Sequence, residues 1–178
     1  MLNSKPNGAT KTYSGLFVPT NRRKVVRLND EGGLYYRSLW ERKTMVYLDI
    51  NSAVLSWGAE FIGVPYTYVD DDGYGNVKVS QHTYFPDFYY EIQMTDGRVR
   101  KILLEVKPIE QVFSPKPKET NRLTEKQLIN YKKQIDTYQK NLYKWEAAIK
   151  YCELHGYEFK VLVESEIDKM VSVMMKLG

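Results

Sequence analysis

Tyr84-Phe85-Pro86-Asp87-Phe88 and Leu103-Leu104-Glu105-Val106-Lys107-Pro108, with Thr95-Asp96-Gly97 between them, are the stretch whose reading decides the fold. Two β-rich runs on either side of a tight-turn signal read as a β-hairpin, Phe88–Met94 against Arg98–Val106. A three-residue loop with Gly97 in the left-handed conformation pairs Met94 with Arg98. Counting outward from that pair, one residue per strand, brings Asp87 opposite Glu105 on one face, with Cβ atoms about 5 Å apart. A two-residue Asp96-Gly97 turn would instead pair Asp87 with Val106 and turn Glu105 to the other face. The expectation is the three-residue loop or an equivalent bulge.

Two carboxylates and an ammonium at one end of a hairpin can hold a divalent cation and steer a water onto a phosphodiester. Asp87 and Glu105 are the candidate ligands, helped by the backbone carbonyl of Val106. Lys107 would orient or deprotonate the water, or stabilise the developing negative charge, with its pKa falling beside a metal. Glu41 would complete the shell directly or through a water if its helix packs beside the hairpin. The competing reading of Glu105 and Lys107 is an exposed same-face pair, which contributes little. Ile102, Leu103, Leu104 and Val106 argue against it. They mark a strand buried on both faces, where a stray charge is costly, so charges at its end point to function.

The totals bound the chemistry. At 178 residues, 43% hydrophobic and 27% charged, the chain reads as one α/β domain with a real core. No run approaches the roughly 18 apolar residues of a membrane span, and Met1–Lys11 has no apolar leader segment. No membrane and no nucleotide cofactor are expected. The single cysteine, Cys152, excludes an internal disulfide. With two histidines, His82 and His155, it leaves too few soft ligands for structural zinc. Any metal should be hard and oxygen-bound: Mg²⁺, with Mn²⁺ able to substitute. Residues 1–43 carry nine basic and three acidic groups, and 44–115 carry five and ten. Residues 116–150 carry nine and four, and 151–178 three and five. An acidic middle between basic flanks suits a metal site facing a polyanion, although lysine-rich surfaces are also common on soluble proteins.

Along the chain, residues 1–12 read as a flexible arm and 13–178 as a single domain. Tyr13–Pro19 is a short apolar patch. Arg22-Arg23-Lys24 reads as a basic loop, solvated or reaching a nucleic-acid backbone. Tyr36–Asp49 reads as a helix with Ser38 and Glu41 in its first turn, stopped by Asn51-Ser52. Val54–Trp57 and Phe61–Val69 read as strands, the second ending in a solvated acidic turn, Asp70-Asp71-Asp72-Gly73. That turn lacks the later ligands of a calcium loop. Three prolines make 108–123 an extended linker. Thr124-Glu125-Lys126-Gln127 is a capping-box signal, and apolar or aromatic residues from Leu128 to Cys152 follow at alternating spacings of three and four until Gly156. This is a helix, with Asn141 a point at which it could divide. Tyr157–Val163 is a last strand and Ile167–Leu177 a closing helix. Arg37, Arg42 and Lys43 could meet phosphates or simply be solvated. Glu60 reads equally as a second acid near the site or as a structural carboxylate. His82 reads as a strand-edge or loop residue.

Asp87 with Glu105-x-Lys107 resembles the core of the PD-(D/E)xK nucleases, which implies an αβββαβ arrangement with a mixed sheet flanked by helices. Ser38-x-x-Glu41 looks like the first acid of that superfamily's Tn7 transposition-endonuclease branch. Gln127…Tyr131 and Gln134…Tyr138 both look like the Gln-x-x-x-Tyr helix motif of RecB-type nucleases, with the second fitting better. By that resemblance Arg37, Gln134 and Tyr138 are the expected DNA contacts. Further motifs look like those of the head-completion nucleases of T4-like tailed phages. They are Tyr13-Ser14-Gly15-x-x-Val18-Pro19, Tyr36-Arg37-Ser38-x-Trp40-Glu41, Trp57-Gly58-x-Glu60 with Val64-Pro65-Tyr66, Glu105-x-Lys107-Pro108 and Lys144-Trp145-x-Ala147-Ala148. This second resemblance implies a magnesium-dependent DNA nuclease that trims or protects the packaged genome end before tail attachment. It implies portal, neck or head proteins as partners. It also implies a location in the host cytoplasm during assembly, with retention in the virion. The alternative from another class is a structural neck or portal-vertex protein with a vestigial site.

Overall fold

The structure is a computed structural model describing residues 13–71, 76–116 and 119–177. The expected N-terminal arm and the tip of the acidic turn lie outside the described residues. The elements run β1 (Gly15–Phe17), β2 (Leu34–Tyr36), α1 (Leu39–Ile50), β3 (Val54–Ala59), β4 (Val64–Asp71), β5 (Val77–Tyr84), β6 (Phe88–Gln93), β7 (Val99–Val106), α2 (Glu125–His155), β8 (Glu158–Leu162) and α3 (Glu164–Leu177). The central sheet has the order β3-β6-β7-β8, antiparallel except for the parallel pair β7–β8. A mixed α/β core of this order matches the α/β expectation.

Strand β7 lies inside the sheet, and its apolar run serves both faces. Ile102, Leu104 and Val106 pack with Met45 and Leu48 of α1 and Ile167 of α3, around Trp57 and Phe88. Leu103 points the other way and packs with Ala148 and Cys152 of α2, together with Val64, Tyr84 and Tyr89. The alternation of side chains along the strand therefore places Glu105 on the α2 face.

Several expected boundaries shift: β3 runs on to Ala59, and the closing helix, expected from Ile167, starts at Glu164. Tyr36 belongs to β2, which pairs with β1, and α1 starts only after Ser38, whose hydroxyl accepts the Glu41 N–H at 3.1 Å. The strand expected at Phe61–Val69 starts at Val64, continues to Asp71 and pairs with β5, a strand the sequence reading had not identified. This β4–β5 hairpin is inserted between β3 and β6 and forms a sheet of its own. Lys24, read as part of a solvated or backbone-reaching loop, caps α1 instead: its ammonium donates to the carbonyls of Asp49 (3.2 Å) and Asn51 (2.8 Å). A cation there complements the negative end of the helix dipole.

Helix α2 is continuous over 31 residues. Thr124 and Gln127 close a reciprocal capping box, and Gly156 ends the helix at φ 69°, where a left-handed residue without a Cβ is favoured. The expected division at Asn141 does not occur. Its side chain is buried and donates to the Gln111 carbonyl at 3.4 Å, so a tertiary contact satisfies the amide that would otherwise favour a cap.

Candidate active site

The site is built by the hairpin register. Met94 N–H donates to the Arg98 carbonyl at 2.8 Å, Gly97 N–H donates to the Met94 carbonyl at 2.9 Å, and Gly97 has φ 83°. The loop thus has three residues, and pairing runs without slip from Gln93–Val99 to Phe88–Leu104. One step further, Asp87 meets Glu105: Asp87 N–H donates to Glu105 Oε2 at 3.4 Å, and Val106 N–H donates to Asp87 Oδ2 at 2.7 Å. Both carboxylates end on the α2 side of the sheet.

Glu105 is only 3% exposed, yet each of its oxygens has a donor. Tyr84 Oη donates to Oε2 at 2.6 Å, and Lys107 Nζ lies 2.6 Å from Oε1. Lys107 is anchored through its own N–H to the Leu162 carbonyl of β8 at 3.0 Å. Burial alone would lower the Lys107 pKa, but contact with Glu105 and the fields of Asp87 and Glu41 outweigh it and raise the pKa above the usual lysine value. Asp87 moves the other way for an acid. Burial first, then the Glu105 charge and that of Glu41, push its carboxyl up to about 7 against the Val106 amide and Lys107. Two acids side by side, one buried and one half-buried, repel, and a cation relieves that repulsion.

Glu41 stands near but does not join the pair. Its Oε2 accepts the Arg37 N–H at 2.8 Å and its Oε1 accepts the Ser38 hydroxyl at 2.9 Å, completing the cap of α1. Its charge still bears on Asp87 and Lys107. Arg37 holds Glu60 through a two-pronged ion pair. Glu60 is the one non-glycine residue at positive φ (45°) among the described residues, and its N–H donates to the Asp87 carbonyl at 3.1 Å. Strain of this kind costs on the order of 1 kcal/mol and collects at functional sites. Lys43 pairs with Asp168, and His82 lies exposed in β5 beside Tyr66.

The helix motifs fall away from these groups. The Gln127 side chain accepts the Thr124 N–H at 2.9 Å and so belongs to the cap. Gln134 is exposed and Tyr138 half-buried. The residue of α2 that does reach the site is Lys144, ten positions after Gln134, about 15 Å along the axis. Its Nζ sits 5.6 Å from the centre of the Tyr84 ring. Burial, then the charge of Lys107, lowers its pKa. Sequence reasoning missed Tyr84 and Lys144 as site residues. Lys144 was visible only as part of Lys144-Trp145-x-Ala147-Ala148, and nothing marked Tyr84.

Among the described residues no three His, Cys, Asp or Glu side chains converge as a metal cage. Two carboxylates remain, and that set fits Mg²⁺, which takes one or two carboxylates and keeps several waters. The adjacent Asp87 and Glu105 carboxylates supply the negative charge such an ion needs.

A mixed sheet flanked by helices, with paired acids and a lysine at the end of its hairpin, defines a nuclease domain of the PD-(D/E)xK class. Residues 51–164 match the TnsA-like endonuclease N-terminal domain, and the chain belongs to that family. The chain is 31% identical over 153 residues to the head completion nuclease of Enterobacteria phage T4, across 85% of this chain and 91% of the relative. No solved structure matches it. The protein is an enzyme, a deoxyribonuclease by class.

Proposed function

We propose that this chain hydrolyses phosphodiester bonds of double-stranded DNA at the packaged genome end, with Mg²⁺ as its metal and Mn²⁺ as a substitute, during phage head completion. The observation that carries the reading is half-buried Asp87 paired with buried Glu105, with Lys107 Nζ 2.6 Å from Glu105. Likeness to a head completion nuclease supports the setting, with portal, neck or head proteins as partners. The reaction would then take place in the host cytoplasm during assembly, and the protein would stay with the head or neck. Among the described residues no helix is long and apolar enough to cross a membrane.

Asp87, Glu105 and the Val106 carbonyl would hold the metal, with Glu41 reaching it through water. When bound, the metal polarises the phosphoryl group and makes a water nucleophilic at neutral pH. Lys107 contributes a fixed ammonium: held protonated by its acid neighbours, it donates to the attacking water or to the charge that builds on the phosphate. Tyr84 keeps Glu105 in one rotamer. Arg37, 70% exposed on its side chain, offers a guanidinium to a phosphate once it leaves Glu60.

The test is cleavage of linear duplex DNA with Mg²⁺ or Mn²⁺ by the wild type, Asp87→Ala and Lys107→Ala. Cutting by the wild type alone is expected. Equal activity in all three would assign the cutting to another protein. A pure wild type that cuts with neither metal would favour a structural neck protein with a vestigial site.

A further inference from the structure

Helix α2 is longer than the sheet it covers. Its 31 residues span about 46 Å. The C-terminal half buries Ala148 and Cys152 against Tyr84, Tyr89 and Leu103. At about 100° per residue, Lys144, Lys140, Lys133 and Lys126 lie within about 40° of one line along the helix, and Ala148 lies on the same side. The face that is apolar over the sheet therefore becomes a line of lysines beyond it, and Lys144 marks the change.

Most acids of α2 lie away from the lysines. By the same rotation Glu125, Glu146 and Glu153 fall about 100° or more from the lysine line, and Asp136, about 80° from that line, stands four residues before Lys140 without forming an ion pair with it. None of the four lysines forms an ion pair among the described residues, whereas Lys150, on another face, pairs with Glu146 at 2.7 Å. Lys126, Lys133 and Lys140 are exposed. The inner two are held in place by aromatic rings, Lys140 over Tyr68 at 5.3 Å and Lys144 over Tyr84 at 5.6 Å. The Tyr84 hydroxyl bonds Glu105, so the line ends at the proposed metal site. Like charges left without ion-pair partners in a row are repulsive to the isolated chain and favourable beside a polyanion.

We propose that Lys126, Lys133, Lys140 and Lys144 form a phosphate track that holds the DNA duplex on one flank of the scissile bond. The proposal rests on the DNA reading of the site and adds a direction and a length. From Lys126 to Lys144 is about 27 Å, or about eight base pairs at 3.4 Å each. The enzyme needs that much duplex on one side of the cut and less on the other.

The experiment measures binding of a labelled duplex of about 20 base pairs across a salt series, with Ca²⁺ in place of Mg²⁺. The slope of log K against log salt should fall by about 2.7 in Lys126→Gln/Lys133→Gln/Lys140→Gln, at about 0.9 per phosphate contact. Lys132→Gln/Lys150→Gln, on another face, should leave it unchanged. An unchanged slope in the triple variant, or an equal fall in the control, overturns the track, as does a wild type that does not bind duplex. If the triple variant melts early, Lys133→Gln alone should still lose about 0.9. A wild type that binds with the full slope but cuts with neither Mg²⁺ nor Mn²⁺ sinks the nuclease reading and leaves the track standing. One that cuts while the triple variant keeps its slope does the reverse.

Discussion

Tyr84 donates its hydroxyl to Glu105 at 2.6 Å from a strand outside the sheet that carries Glu105. The β4–β5 hairpin is thereby fastened to the site. Its last residue enters the cluster of Tyr89, Leu103, Ala148 and Cys152 beneath α2. Burial and the neighbouring Glu105 charge hold the Tyr84 pKa far above the ordinary phenol value, so the hydroxyl stays a donor at every working pH. Glu105 is thus shared between a neutral donor and the Lys107 cation.

Tyr84→Phe keeps the ring and removes that donor. Stability should fall by about 1–3 kcal/mol, because a buried carboxylate oxygen loses its partner. Mg²⁺ affinity should fall by about tenfold, since a group that orients a metal ligand is lost. Chemical denaturation and calorimetric titration with Mg²⁺ read the two effects. Wild-type values in both would remove Tyr84 from the site.

Some of this was readable in the sequence and some was not. Asp96-Gly97 marks the β6–β7 turn but suits a two-residue loop as well as a three-residue one, so the register rests on bringing Asp87 opposite Glu105, whereas α2 follows from its two caps. Strand β5 escaped because Val77 to Thr83 are exposed or half-exposed on both faces, so no apolar alternation marks a core side. Only Tyr84 turns inward, and a tyrosine on a separate strand carries no sign that it will meet Glu105. Ser38-x-x-Glu41 has two physical readings, a helix cap and a catalytic acid, and the spacing is the same for both. Helical arithmetic gives the lysine face of α2 but not the point where the sheet beneath it stops.

Lys107→Gln separates the roles of its ammonium. Glu105 would keep its charge in a buried site with one fewer partner, a loss of about 3–5 kcal/mol in the metal-free protein. Turnover should fall by about 10²-fold or more. Because Lys107 neutralises the carboxylate that Mg²⁺ would use, added Mg²⁺ should raise the melting temperature more in the variant than in the wild type. An equal rise in both would mean that Lys107 and the ion do not share Glu105.

The loop can be altered without moving the register. Nothing lies within 4 Å of a Cβ built on Gly97, so Gly97→Ala meets only the backbone penalty of φ 83°. That penalty is about 1–2 kcal/mol, or roughly 2–8 °C in melting temperature. Deleting Thr95 leaves a two-residue Asp96-Gly97 turn between the same pair, Met94 and Arg98, so Asp87 stays opposite Glu105. Cutting should therefore survive in the deletion as well as in Gly97→Ala, as plasmid cleavage will show. A folded variant of either kind that no longer cuts would mean that the loop, and not only the register it sets, takes part in the chemistry.

Asp87 sets the pH dependence. Its carboxyl is held up to about 7, by burial first and by Glu105 next, against about 3.9 in an unfolded chain. Between those values the folded protein binds the proton that the unfolded chain has released, so stability falls as pH rises from about 4 to about 7. The metal-free protein should therefore melt higher at about pH 5, inside that window, than at about pH 8, above it. A metal needs the deprotonated acid, so Mg²⁺ affinity should climb through about pH 7, and its stabilisation should be largest on the alkaline side. Asp87→Asn should flatten both curves. Melting in EDTA and in Mg²⁺ at four pH values measures all of this at once. A metal-free wild type that grows steadily more stable toward pH 8, in step with Asp87→Asn, would show that Asp87 ionises as an ordinary exposed acid. The Asp87–Glu105 pair could then not be the centre of the site.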